Sequence, residues 1–350
     1  MVDSDLLYKK EITIYCEESR FILQKKEINE QKSNPKQMIY SFNKQAHKLH
    51  KLDEYTPRLG TGHEVYSILG IINGQNNYYL LGVSKAQFMG KVLNSRIFKI
   101  EELIFLSSVS NDNNNVISAD DEKYINMVKD FLKRNNLYFS DSLDLTVGLQ
   151  KTFTNKSTKQ SSSVFPHTVA HFCWNYNMAS QLDLNGMENF LAPVINGFFS
   201  LRTICDYDQE FEFVVVARKD SRRSGMRFLV RGSDNNGNVA NFVETEEILI
   251  VSDKKDQKKI EVLSYLQIRG SIPLFWKQTP NLMLNPVIIP RDDYSLNSTV
   301  FRKHVSELIT SYGKTVLVNL IDKANYQREI GDYMQNLAKE AKENKRKKYL

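Results

Sequence analysis

The chain has 350 residues, 41% of them hydrophobic and 25% charged, with a formal net charge of +6. That composition excludes wholesale disorder and leaves room for two domains with a substantial core. Three widely spaced cysteines, Cys16, Cys173 and Cys205, exclude a disulfide framework and a four-cysteine zinc site and fit a reducing compartment. There is no signal-peptide-like start and no apolar run long enough for a spanning helix.

Taken in chain order, the first third reads as strand. "EITIYCE", "RFILQKK" and "MIYSF" are short, partly alternating runs. "VYSILGIINGQNNYYLLGVS" is two apolar runs split by a Gly/Asn turn, which predicts a hairpin. A polar loop over Ser110–Asn115 follows. Next comes a helix over Asp120–Arg134, with acidic residues first and basic residues last, as the helix dipole favours. Tyr124, Val128, Phe131 and Leu132 should form its inner face. "KTFTNKSTKQSSS", Lys151–Ser163, reads as a linker. Beyond it a helix is expected in "HTVAHFCWNYNMASQL". Strands are expected at "EFEFVVVAR", "MRFLVRG", "EILIVS" and "IEVLSYLQIRG". Phe301, Val305, Leu308, Ile309 and Tyr312 sit at helical spacing, with Gly313 placed to end that helix. "KTVLVNLI" is a continuous apolar run of strand length. A last helix from Ala324 turns Tyr326, Ile330, Met334 and Leu337 inward and runs into the basic tail. Helix, glycine and buried strand in succession are the grammar of an α/β unit.

Several motifs carry little. "GTGH", Gly60–His63, lacks the third glycine of a nucleotide loop and reads as a turn. His167, His171 and Cys173 are close in sequence, but no fourth ligand accompanies them. No G-x-S-x-G marks a nucleophile elbow.

The stretch "ARKDSRRSGMRFLVRG" says more. It holds six cations, Arg218, Lys219, Arg222, Arg223, Arg227 and Arg231. In an extended chain Arg223, Arg227 and Arg231 share a face, and guanidinium forks match phosphate oxygens. The same charges could instead be solvated, or paired with Asp220, Asp234, Glu244 or Glu246. No nucleic-acid motif accompanies them. "DNNG" predicts a turn that makes "RFLVRG" and "VANFVETEE" a hairpin, with Asn241, Glu244 and Glu246 positioning the arginines.

At this hairpin the chain resembles the SAC-domain phosphoinositide phosphatases, whose signature is "RRSxxRAGTRYxxRG" running into "DxxGxxANFVETEQ". Asp220, Ser224, Met226 and Glu247 depart from that pattern. "YFSDSLDLTVGLQ", "FCWN", "LAPVINGF", "SYLQIRGSIPLFW" and "YGKTVLVNLI" resemble further family stretches, in family order. The spacing is similar to the Sac1 type, with the synaptojanin type as the near alternative. The resemblance implies an α/β (α+β overall) fold. An N-terminal β-rich subdomain would span residues 1–160, and a catalytic subdomain residues 161–350, incomplete before the catalytic loop. It implies removal of an inositol-ring phosphate, chiefly the 4-phosphate, by a cysteine in Cys-x5-Arg-Thr through a phosphocysteine, with no cofactor or metal. It further implies a phosphoinositide partner, peripheral contact with a membrane surface, and a setting on the cytoplasmic face of the endoplasmic reticulum or Golgi. Arg223, Arg227, Arg231, Lys219 and Arg218 become the headgroup candidates.

The nucleophile fails a simple count. The residues six beyond Cys16, Cys173 and Cys205 are Ile22, Ala179 and Phe211. The chain is therefore expected to be inactive alone, as a fragment or the product of a truncated gene. The alternative is a non-catalytic anionic-lipid-binding or adaptor module.

Overall fold

The computed structural model describes residues 10–26, 37–45, 48–55, 62–75, 77–108, 118–156, 165, 168–182, 184–205, 209–226, 229–253, 260–278, 287–323 and 327–347. Arg227, His167, the 110–115 loop and the second half of the expected linker lie outside them. The chain is a strand-rich α/β mixture with antiparallel sheets. It divides into two compact units. The first is Met1–Arg218 with Thr245–Leu266; the second is Lys219–Glu244 with Gln267–Leu350. The boundary expected near residue 160 falls within the first.

The first unit opens with β1 (Ile12–Cys16), β2 (Arg20–Lys26), β3 (Gln37–Asn43), β4 (Leu49–Leu52) and β5 (His63–Val65). They form one antiparallel sheet in the order β4-β3-β2-β1-β5. Period-two alternation sends Ile12 and Ile14 of β1 inward, where they meet Phe21, Leu23 and Phe42. The larger sheet takes β6 (Ile68–Asn73), β7 (Tyr78–Val92), β8 (Ser95–Ser107), β9 (Leu137–Ser140), β10 (Ile195–Cys205), β11 (Gln209–Lys219), β12 (Val243–Asp253) and β13 (Ile260–Arg269). Their order is β13-β12-β11-β10-β9-β8-β7-β6. The β6–β7 hairpin forms as its Gly/Asn turn predicts. The β7–β8 turn is made by Leu93 and Asn94 at φ of 48° and 71°, the left-handed pair that matches strand twist.

Helix α1 (Ala119–Arg134) is capped by the Ser118 hydroxyl, which accepts from Asp121 N. Val128, Phe131 and Leu132 pack inward as expected, but Ile125 is the buried apolar residue and Tyr124 is exposed. The apolar stripe is thus rotated from the expected one. Helix α2 (Leu149–Lys156) occupies the start of the stretch expected to be a linker.

The helix expected around "FCWN" is instead a run of turns with two four-residue helices, α3 (Tyr176–Ala179) and α4 (Leu184–Met187). The reason is Asn175, which is fully buried. Its Nδ2 donates to the carbonyls of Leu69 and Ala192, and its Oδ1 accepts from Val194 N and the Cys173 thiol. That amide replaces helical hydrogen bonds with ties to β6 and to the entry of β10.

The second unit holds β14 (Trp276–Gln278) paired with β15 (Ile288–Pro290), then α5 (Tyr294–Tyr312) and α6 (Arg328–Lys347). Leu274, Phe301, Ile330 and Leu337 form its buried core, with Val305 and Met334 packed against them. Helix α5 ends at Gly313 as expected. Two expected strands are absent. "MRFLVRG" is bend and turn in its described residues. "KTVLVNLI" has no sheet partner among the described residues, and Val316, Val318 and Leu320 are 79%, 71% and 90% exposed. A strand needs a neighbour for its backbone groups, and an apolar run does not say whether one is there.

Candidate functional site

The basic stretch leaves the sheet at the end of β11. Alternation along that strand turns Val214, Val216 and Arg218 to one face, and along β12 it turns Ile250, Ile248 and Glu246 inward. The buried face of each strand therefore ends in a charge, and the two charges meet. Arg218 Nη2 donates to Glu246 Oε2 at 2.6 Å, with the side chains 1% and 2% exposed. The other carboxylate oxygen of Glu246 accepts from Leu149 N and the Ser264 hydroxyl, each at 2.7 Å. The neighbouring Asp144 accepts from the backbone and hydroxyl of Thr146. Burial pushes its carboxyl above the usual range, and the Thr146 donors and the Arg218 charge oppose that shift. This is an internal framework that holds α2, β11, β12 and β13 together. Arg218 and Glu246 belong to it.

Between those two residues in sequence lies Lys219–Glu244, part of the second unit. Its neck, where β11 ends and β12 begins, is closed by Asp220 N donating to the Phe242 carbonyl at 2.9 Å, and an isolated antiparallel bridge joins Ser233 to Val239. The expected hairpin is thus much shorter than read. The "DNNG" turn closes with Gly237 N donating to the Asp234 carbonyl, and among the described residues backbone pairing runs only from Asp234–Asn238 to Gly232–Ala240. Side chains shape the rest of the loop. Arg223 crosses it, donating to the carbonyls of Arg231 at 2.8 Å and Gly232 at 3.3 Å. Asn241 sits at φ 52°. Its backbone N donates to the Arg223 carbonyl, and its side-chain oxygen accepts from Gly225 N. Gly232, at φ 64°, has no room for a side chain: a Cβ there would stand 2.5 Å from the Leu274 carbonyl oxygen. Asp234 folds the next turn by accepting from Asn236 and Asn238. Partial burial pushes the Asp234 carboxyl up, but these donors and the Arg223 charge outweigh it and hold the carboxyl below its usual range.

The candidates thus separate. Arg223 and Arg231 lie together in the loop, partly buried, and Lys219 is exposed at its start. Arg231 lies over the Trp276 ring at 5.4 Å and donates to Gln278 at 2.9 Å. Glu244 is buried and accepts from the Tyr312 hydroxyl at the end of α5, at 2.5 Å. Arg222, which was not among the candidates, pairs with Asp220 and Glu307. Ser271 accepts from Gly232 N, and Ser271 N donates to the Ala240 carbonyl. So the "RGSIPLFW" stretch supports the basic loop through Ser271 and Trp276. The signal for those two was in the sequence, as a motif without an assigned partner.

Neither Cys173 nor Cys16 has an activated thiol. Burial pushes the Cys173 thiol up to about 12 and raises Cys16, where the Lys44 charge opposes the shift; a nucleophilic thiolate needs the reverse. Among the described residues no group of three His, Cys, Asp or Glu side chains could hold a metal, and no helix is long and apolar enough to cross a membrane.

The SacI homology domain family matches residues 66–350. Phosphatidylinositol-3-phosphatase SAC1-B of Danio rerio is 29% identical over 271 residues, covering 76% of this chain and 44% of that protein. Phosphatidylinositol-3-phosphatase SAC1 of Saccharomyces cerevisiae is 29% identical over 279 residues, 78% of this chain and 43% of that protein. Synaptojanin-1 of Homo sapiens is 29% identical over 270 residues, 74% of this chain and 16% of that protein. The chain thus spans less than half the length of these relatives. The match covers both the Arg218–Glu246 framework and the basic loop, and the chain belongs to the SacI homology domain family of phosphoinositide phosphatases.

Proposed function

We propose that this chain is the headgroup-recognising portion of a Sac1-type phosphoinositide phosphatase acting on phosphatidylinositol 4-phosphate, and that by itself it binds lipid without hydrolysing it. The observation that carries this reading is the loop of Lys219–Glu244. It carries Arg223 and Arg231 on a backbone held by Asn241 and Ser271, with Trp276 against the Arg231 guanidinium, and Lys219 exposed at its start. A guanidinium already fixed by an indole face and an amide loses little freedom on meeting a phosphate. Arg227 completes the set in sequence. Arg218 and Glu246 belong to the buried framework of the first unit, and Asn241 and Glu244 position the loop. The family's two subdomains would divide near residue 160, and its setting on endoplasmic reticulum or Golgi membranes would be this protein's too. The inactivity rests on the missing Cys-x5-Arg and on the raised thiols of Cys173 and Cys16.

The test is flotation with vesicles carrying phosphatidylinositol 4-phosphate or 3-phosphate, run beside an assay of released phosphate. Binding to the 4-phosphate vesicles that weakens about tenfold in Arg231→Ala or Arg227→Ala, with no phosphate released, is expected. Phosphate release by the purified chain would overturn the inactive reading. Equal binding to vesicles without phosphoinositide would overturn headgroup recognition.

A further inference from the structure

The basic loop has an apolar tip that headgroup recognition does not explain. In "SGMRFLVRG" the Met226 carbonyl accepts from Leu229 N and Val230 N, both at 3.0 Å. Val230 lies against Gly225, where an added Cβ would stand 2.2 Å from its side chain. That contact turns Val230 back onto the loop and leaves Met226 and Leu229 facing out, 73% and 63% exposed. Isolated apolar side chains at a surface need no explanation. Here, however, they stand three residues apart in a segment whose sequence also holds Lys219, Arg223, Arg227 and Arg231, while its one carboxylate, Asp220, is taken up by Arg222. Cations that flank two protruding aliphatic side chains in sequence, a basic collar, match an anionic bilayer: positive charge for the lipid headgroups and apolar surface for the layer beneath them. An acidic protein surface would match the collar and leave the tip unused.

We propose that Met226 and Leu229 form a wedge that enters the outer layer of an anionic membrane and seats the basic loop among the lipid headgroups. The two contributions differ in salt dependence. Attraction of the collar is screened by salt, whereas burial of the tip is not. The proposal deepens the lipid-binding reading given above and rests on it for orientation only, because the wedge needs anionic lipid and not a particular phosphoinositide.

The experiment uses the intact chain and vesicles of phosphatidylcholine with phosphatidylserine, with and without phosphatidylinositol 4-phosphate. M226S/L229S is expected to weaken binding about tenfold on both vesicle types and to remove the part that survives 1 M salt. Binding of soluble inositol 1,4-bisphosphate should be unchanged. As a second readout, the emission of Leu229→Trp should shift to the blue on vesicles and be quenched by lipids brominated in the acyl chain. Binding that is equal with and without the phosphoinositide, yet lost in M226S/L229S, removes the headgroup reading and keeps the wedge. Undiminished binding by M226S/L229S overturns the wedge, as does failure to bind any vesicle. Leu229→Trp emission that stays at its aqueous wavelength overturns it too, and assigns the tip to a protein contact instead.

Discussion

Arg218 and Arg223 lie five positions apart and have opposite environments. Arg218 closes the inner face of β11, buried against Glu246. Arg223 crosses a loop and spends its donors on two backbone carbonyls. The first belongs to a framework in which each partner needs the other. The second belongs to a surface segment whose shape it helps to set while its charge stays near solvent. Density of basic residues did not distinguish them. The parity of one residue on a strand, and the end of that strand, did.

The sharpest way to break this comparison is to remove one half of the buried pair. Glu246→Ala strands a guanidinium in the core and should cost about 3–5 kcal/mol, read by urea denaturation. The paired change Arg218→Met with Glu246→Leu should recover part of that loss, since two apolar side chains need no counter-charge but leave Leu149 N and the Ser264 hydroxyl without their acceptor. If the double variant is as weak as the single one, the pair is more than mutual neutralisation.

On the loop side, Gly232→Ala puts a Cβ against the Leu274 carbonyl at a positive φ. It should cost about 1–3 kcal/mol. The change can be followed by Trp276 fluorescence in a Trp174→Phe background, because the chain has only these two tryptophans. Arg223→Ala loses two hydrogen bonds in a partly exposed place and should cost about 1 kcal/mol. Faster amide exchange from Gly232 to Asn241, with little change elsewhere, would mark it as local.

The smallest effect is expected with pH. His304 is buried on α5, its Nδ1 3.1 Å from the Gly237 carbonyl of the loop and its ring edge-on to Phe242. Burial lowers it below the ordinary value of 6.5, while the nearby Glu307 carboxylate and the Gly237 carbonyl oppose the shift and the Arg222 charge adds to it. With the folded value below the unfolded one, the unfolded chain takes up the proton first. Stability therefore falls as pH drops from about 6.5 through the folded value, and it is complete above 6.5. Melts at pH 5 and 7.5 should show that loss, and His304→Gln should reduce it.

Much of the architecture was legible beforehand. The alternating runs of β1 to β3, the β6–β7 hairpin, α1, and α5 with its end at Gly313 follow from local periodicity and turn chemistry. The segments that were misread share a cause. "FCWN" gave up a helix because one buried amide serves two distant chain segments. "MRFLVRG" gave up a strand because Arg223, Asn241 and Ser271 bind the loop through side chains. "KTVLVNLI" has the composition of a strand and no neighbour to pair with among the described residues.

By itself the sequence determined the fold class, the family and the gathering of cations around one glycine, because periodicity and motif order are local properties of the chain. Only the tertiary structure decided which of those cations is a core residue, which are fastened to the loop, and which apolar side chains are left outside. Those outcomes depend on partners far away in sequence: Glu246 for Arg218, and Trp276 and Gln278 for Arg231. A charged or apolar side chain is assigned its role by what it meets, and the chain's local pattern does not record that.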